Sequence, residues 1–129
     1  MGDFEMSGPN WKLEEDGETI TISFPTSPRV AVEWKTATVD DHLQKLGELR
    51  TQMKPEISRT FPFGQLVKTI PDPILRTEPD AMTGDTLLHI RDPRFGWLHY
   101  LIPKQEARKL VTAIQNQVDA TAPRRDTAH

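Results

Sequence analysis

Apolar and polar positions alternate along six short stretches of this chain and recur at helical spacing along two longer ones. Trp11, Lys12 and Leu13 lead into Glu14, Glu15, Asp16 and Gly17, where Asp-Gly supplies the positive φ angles of a tight turn. From Thr19 to Phe24 the alternation is unbroken, with Ile20, Ile22 and Phe24 on one face. Pro25 and Pro28 interrupt it; Val30, Val32 and Trp34 resume it, with Glu33 and Lys35 pointing away. The pattern predicts three strands joined by turns.

A helical period then takes over. Val39, Leu43, Leu46, Leu49 or Arg50, and Met53 make one apolar stripe. Thr38 is the expected cap. Asp40 and Asp41 fall in the expected first turn, where the helix dipole favours negative charge, and Pro55 closes the helix. Gly47 is its weak interior position, costing about 1 kcal/mol relative to Ala. Residues 55–73 follow neither period: Pro55, Pro62, Pro71 and Pro73 break them, yet Phe61, Phe63, Leu66, Val67 and Ile70 are too apolar for a solvated linker. An extended segment pinned by its aromatics is expected, with one short helical turn at 64–68. A strand over 74–78, a turn over 79–85, and strands over 86–91 and 97–102 come next. Pro103 opens a second helix in which Ala107, Leu110, Val111, Ile114 and Val118 form the stripe.

The order βββα-loop-βββα predicts an α+β fold. Its simplest form is one antiparallel sheet of about five to six strands, with both amphipathic helices packed on one face. A single domain over 11–119 is expected, flanked by flexible termini at 1–10 and 120–129. The two βββα halves invite the idea of a duplication but share no residue pattern that aligns.

The hairpin at 86–102 carries the main functional inference. Leu88 and Ile90 on its first strand, and Leu98, Tyr100 and Ile102 on its second, make the even positions the core face. Both even sets share a face only if cross-strand partners sum to an even number, which requires an odd loop. A sum of 188 pairs Ile90 with Leu98 and Leu88 with Tyr100, and lets Gly96 serve as the left-handed residue ending the loop. The other face then holds His89 opposite His99, Arg91 opposite Trp97 and Leu87 opposite Leu101, with a cation–π contact available between Arg91 and Trp97. Such a face is too apolar for plain solvation, so Trp97, His99, His89 and Arg91 are the candidate binding residues. Three readings stay open: cover by the 55–73 segment, a subunit interface, or a small-molecule or metal site. For metal, two imidazoles without a third Asp, Glu or His ligand make a poor set.

Composition narrows the classes. The 129 residues include no cysteine, which excludes disulfides, thiolate nucleophiles and Cys-type zinc sites. Nineteen acidic against sixteen basic residues leave a net charge of −3, so nucleic acid is an unlikely partner; Arg91, Arg94, Lys104, Arg108 and Lys109 form only a modest basic patch. No apolar run approaches the ~18 to 20 residues of a membrane helix, and the first residues lack the features of a secretory signal, so no membrane partner and a cytoplasmic location are expected. No phosphate-binding glycine loop, G-x-S-x-G elbow or H-E-x-x-H is present. His42 beside Asp41 reads as a half-exposed helix residue. Nothing in the spacing of His89 or His99 with Asp85 or Asp92 selects acid–base catalysis; Asp92-Pro93 reads as a turn start. No catalytic residue, metal ligand or cofactor is assigned. The leading expectation is a non-catalytic interaction or assembly module that pairs with itself as a homodimer or with another protein, using the outer face of this hairpin or a sheet edge. The alternative is a small-molecule-binding protein or small enzyme with a pocket between the hairpin and the 55–73 loop.

Overall fold

A computed structural model describes residues 8–127, with side chains described through residue 120. The chain divides into two compact units, Met1–Gln65 and Leu66–His129. Each holds three antiparallel strands in chain order followed by a helix: β1 (Asn10–Leu13), β2 (Thr19–Phe24), β3 (Val30–Lys35) and α1 (Thr36–Arg50) in the first, β4 (Leu75–Pro79), β5 (Thr86–Asp92), β6 (Gly96–Ile102) and α2 (Lys104–Thr127) in the second.

In the first unit, Trp11, Ile22 and Val32 lie in one cross-strand row and Leu13, Ile20 and Trp34 in the next, while Phe24 faces Val30. Every apolar residue of the alternation therefore shares a face, and Lys12, Thr19, Thr21, Ser23, Glu33 and Lys35 share the other. Only the middle strand is flanked on both sides, so Ile22 is fully buried whereas Trp11, Leu13 and Val30 on the edge strands are exposed. The β1–β2 turn forms as expected, with Gly17 at φ 70° and the Asp16 carboxylate accepting from the Glu18 N–H and the Thr19 hydroxyl, each at 2.8 Å.

Helix α1 starts two residues before its expected cap. The Thr36 N–H bonds the Glu18 carbonyl at 3.2 Å, fastening the helix start to the first turn of the sheet. Lys35 stands at the N-cap with no side-chain bond, Thr38 is already helical, and Asp40 and Asp41 lie beyond the first turn. His42 stacks on Trp34 with ring centroids 4.0 Å apart, and its Nδ1 lies 2.8 Å from the Thr38 carbonyl. That stack anchors the N-terminal half of α1; Leu43, Leu46 and Leu49 further along stay exposed.

The stretch between α1 and β4 contains no strand and no helical turn at 64–68. Local turns close where the Phe63 N–H meets the Phe61 carbonyl at 2.9 Å and the Gln65 N–H meets the Pro62 carbonyl at 3.3 Å. Phe61 and Phe63 contact each other edge to face at 4.9 Å and are both exposed, so burial does not pin the segment.

In the second unit, Leu75, Ile90 and Leu98 form one row and Thr77, Leu88 and Tyr100 another. Pro79 sits on the edge strand β4, the place in a sheet where a residue without an N–H is tolerated. Asp80 organises the β4–β5 turn by accepting from the Thr83 N–H at 3.0 Å and the Thr83 hydroxyl at 2.6 Å. Asp85 then caps α2, accepting from the Lys104 N–H at 3.0 Å, so Pro103 precedes the helix rather than opening it. The α2 stripe of Leu110, Val111, Ile114 and Val118 is exposed. Of the termini expected to be flexible, 1–7 and 128–129 lie outside the described residues, and for 121–127 only the helical backbone is described.

Two features depart from the expected architecture. The six strands make two three-stranded sheets, not one sheet of five or six. Strand β3 runs directly into α1, and the four prolines between 55 and 73 leave no strand to carry a ladder onward. The helices also do not bury their stripes against one common face: those leucines and valines remain open to solvent.

Candidate functional site: the outer face of the second sheet

The β5–β6 register is the one parity predicts. Ile90 pairs with Leu98, Leu88 with Tyr100, His89 with His99, Arg91 with Trp97 and Leu87 with Leu101. The loop is three residues long, closed by the Asp92–Gly96 pair, and Gly96 has φ 79°. All four candidate residues therefore lie on the odd-numbered face. The neighbouring ladder adds Arg76, opposite His89, and Glu78, opposite Leu87.

The loop is built on Asp92, which is 6% exposed. Its Oδ1 accepts from the backbone N–H groups of Arg94 (2.7 Å) and Phe95 (3.3 Å) and from Arg94 Nε (3.2 Å), while Oδ2 takes Arg94 Nη2 at 3.0 Å. The Arg94 side-chain bonds, helped by those from the backbone, hold the Asp92 carboxyl below its ordinary pKa. The same partnership places the Arg94 guanidinium 4.9 Å above the Phe95 ring. The cation–π contact of this hairpin is thus Arg94 with Phe95, not Arg91 with Trp97.

The two imidazoles touch. His89 Nδ1 lies 2.8 Å from His99 Nδ1, with the rings inclined at 72°. On its far side, His89 Nε2 lies 3.2 Å from Glu78 Oε1. A carboxylate only accepts, so His89 donates from Nε2; in the neutral ring Nδ1 is then the acceptor, and His99 donates to it from its own Nδ1. The result is a directed chain Glu78–His89–His99 across three adjacent strands. Its middle member is shielded, with 16% of the side chain exposed, and its last member is open. Trp97 at 44% and Leu101 at 53% exposure flank His99 on the same strand.

Glu78 is the member that the pattern of the chain did not single out. The signal lay in the 80–85 turn: pairing Pro79 with Thr86 sets Glu78 diagonally across from His89, within reach of a long side chain. Among the described residues no three His, Asp or Glu side chains surround one point as a ready-made metal cage, because Glu78 meets the far nitrogen of His89. An open groove of about 600 Å³ runs beside the start of α2, lined by Gly84, Thr86, Lys104, Ala107, Arg108, Val111 and Thr112; none of the four candidate residues contributes to it. No described helix is long and apolar enough to cross a membrane. Comparison of the chain with protein-family models, with curated proteins and with solved structures finds no match.

Proposed function

We propose that this protein is a non-catalytic assembly module that pairs with a second copy of itself, and that strand β6 is the pairing edge. The observation that carries the reading is the contrast between sheet edges. Exposed edges are normally guarded by charge, proline or shortness. Strand β4 carries Arg76, Glu78 and Pro79; β1 is four residues long and carries Lys12; β3 carries Glu33 and Lys35. Strand β6, Gly96–Ile102, is seven residues long with no proline and no Lys, Arg, Asp or Glu, and it ends its sheet with no neighbour on one side. Its backbone takes part in no bond outside its own sheet among those formed by the described residues.

Burial argues in the same direction. Ile22 is the one fully buried large apolar side chain among the described residues, while Trp97, Tyr100 and Leu101 of β6 lie open. Covering a Leu- or Phe-sized side chain contributes about 1.5–3 kcal/mol, so edge pairing that also covers Trp97 and Leu101 gains from both backbone bonds and apolar burial. Tryptophan and arginine are the residues that dominate interface energetics, and this face offers Trp97 and Arg91.

Light scattering coupled to size exclusion, run from micromolar to millimolar chain, tests the reading. A dimer that Trp97→Lys and Leu101→Lys each weaken at least tenfold is the expected result, since either change puts a charge in place of an apolar side chain that pairing would cover. A chain that stays monomeric throughout, or a dimer that neither change weakens, overturns it.

A further inference from the structure

We infer that two β6 strands pair antiparallel about His99, and that protonation of the facing imidazoles releases the pair. The inference rests on the self-pairing reading above and adds to it a register and a regulator. It begins with the backbone. The Arg91 N–H bonds the Ile74 carbonyl at 3.0 Å, so Arg91 turns its ladder groups toward β4 and away from β6. In an antiparallel ladder successive residues turn those groups to alternate sides. Leu87, His89 and Arg91 therefore bond toward β4, and Leu88 and Ile90 toward β6. On β6 itself Leu98 and Tyr100 bond inward, while Trp97, His99 and Leu101 turn their N–H and C=O groups to the free edge.

The two-fold symmetry of a homodimer then selects the register. An axis perpendicular to the sheet brings like faces together and centres the pair on one residue. A centre at His99 engages the whole strand, Gly96–Ile102, and each step away from it shortens the overlap. That register sets Trp97 opposite the second copy's Leu101, and His99 opposite its own counterpart. Directly opposed like charges are destabilising. The neutral pair carries no such conflict: His99 gives its Nδ1–H to His89 Nδ1 at 2.8 Å and keeps Nε2 as an acceptor. An added proton goes to that exposed Nε2, with one N–H still shared between the rings, and sets a cation against a cation across the axis. Among the described residues of the three strands, this face carries Arg76 and Arg91 against the single carboxylate of Glu78. Glu78 already meets both Arg76, at 3.4 Å, and His89, at 3.2 Å, so it leaves the new charge at His99 unopposed.

Sedimentation equilibrium of the full-length protein at about pH 8 and about pH 5 tests the inference, because imidazole is the side chain that gains charge between them. The dimer dissociation constant is expected to rise at least about fivefold at the lower pH. It should stay level for His99→Gln, and His42→Ala should keep the wild-type response. Dilution calorimetry in two buffers of different ionisation heat needs no variant: near neutrality, dissociation of the wild-type dimer should take up protons. The facing position is tested by charge. His99→Lys and His99→Glu chains should each dimerise weakly alone and pair with one another when mixed, and circular dichroism reports the fold of each. A dissociation constant that ignores pH, a pH response that His99→Gln keeps, dissociation without proton uptake, or a mixture no tighter than its components overturns the inference and leaves self-pairing standing. Absence of any dimer at about pH 8 overturns both.

Discussion

Asp92 concentrates four hydrogen bonds on one carboxylate, and its consequence for stability can be given a sign. The native carboxyl is held below its ordinary pKa, first by the Arg94 side chain and then by the backbone of Arg94 and Phe95. A group whose native pKa is depressed contributes stability above its unfolded pKa and loses it as pH falls through the native value. Glu14, lowered chiefly by the Thr21 hydroxyl, and Asp16, lowered chiefly by the Glu18 N–H, act in the same direction. Acid unfolding followed by circular dichroism is therefore expected to show stability constant near neutrality and falling below the ordinary carboxylate range. Asp92→Asn should flatten part of that fall; an unchanged acid limb would show that Asp92 does not contribute. Gly96 provides a second single-residue measurement. It sits at φ 79°, and a Cβ there would meet nothing within 4 Å, so the whole cost of Gly96→Ala is conformational. About 1–2 kcal/mol is expected by urea unfolding, with a smaller loss for Gly96→Asn, because asparagine tolerates the left-handed region.

At the scale of elements, what the chain pattern revealed depended on how local the deciding interaction was. The β5–β6 register was legible because parity, a three-residue loop and Gly96 all lie within seventeen consecutive residues, and together they select one pairing. The start of α1 was not legible: the bond that places it comes from Glu18, across the sheet, so Thr38 carried the right chemistry at the wrong position. Glu78 was missed for a related reason, since its approach to His89 depends on a β4–β5 register that the 80–85 turn decides through Asp80 and Thr83. The helical stripes were recognised correctly as stripes, but periodicity reports that a face is apolar and says nothing of what covers it. The two kinds of apolar position should separate by mutation. Ile22→Ala removes a fully buried side chain and is expected to cost about 2–5 kcal/mol. Leu46→Ala changes a residue 60% exposed on α1 and should stay within about 0.5 kcal/mol of wild type in urea unfolding of the dilute protein.

For the whole molecule, the proposed edge pairing links stability to concentration. If two chains fold as a β6-paired dimer, unfolding produces two free chains from one assembly, and mass action makes the unfolding midpoint rise with total protein. Each tenfold increase in chain concentration then adds about 1.4 kcal/mol per dimer to the apparent stability. A folded monomer has no such dependence. The side chains that would mediate the effect are identified: Trp97 and Leu101 line the uncharged edge strand, and both are solvent-exposed in the single chain, so replacing either with lysine removes little packing within that chain. Urea unfolding at concentrations a hundredfold apart is expected to separate by about 2.8 kcal/mol for the wild type and to superimpose for Leu101→Lys. Wild-type curves that superimpose would remove β6 pairing as a source of stability, and curves that separate equally for Leu101→Lys would place the contact on another surface.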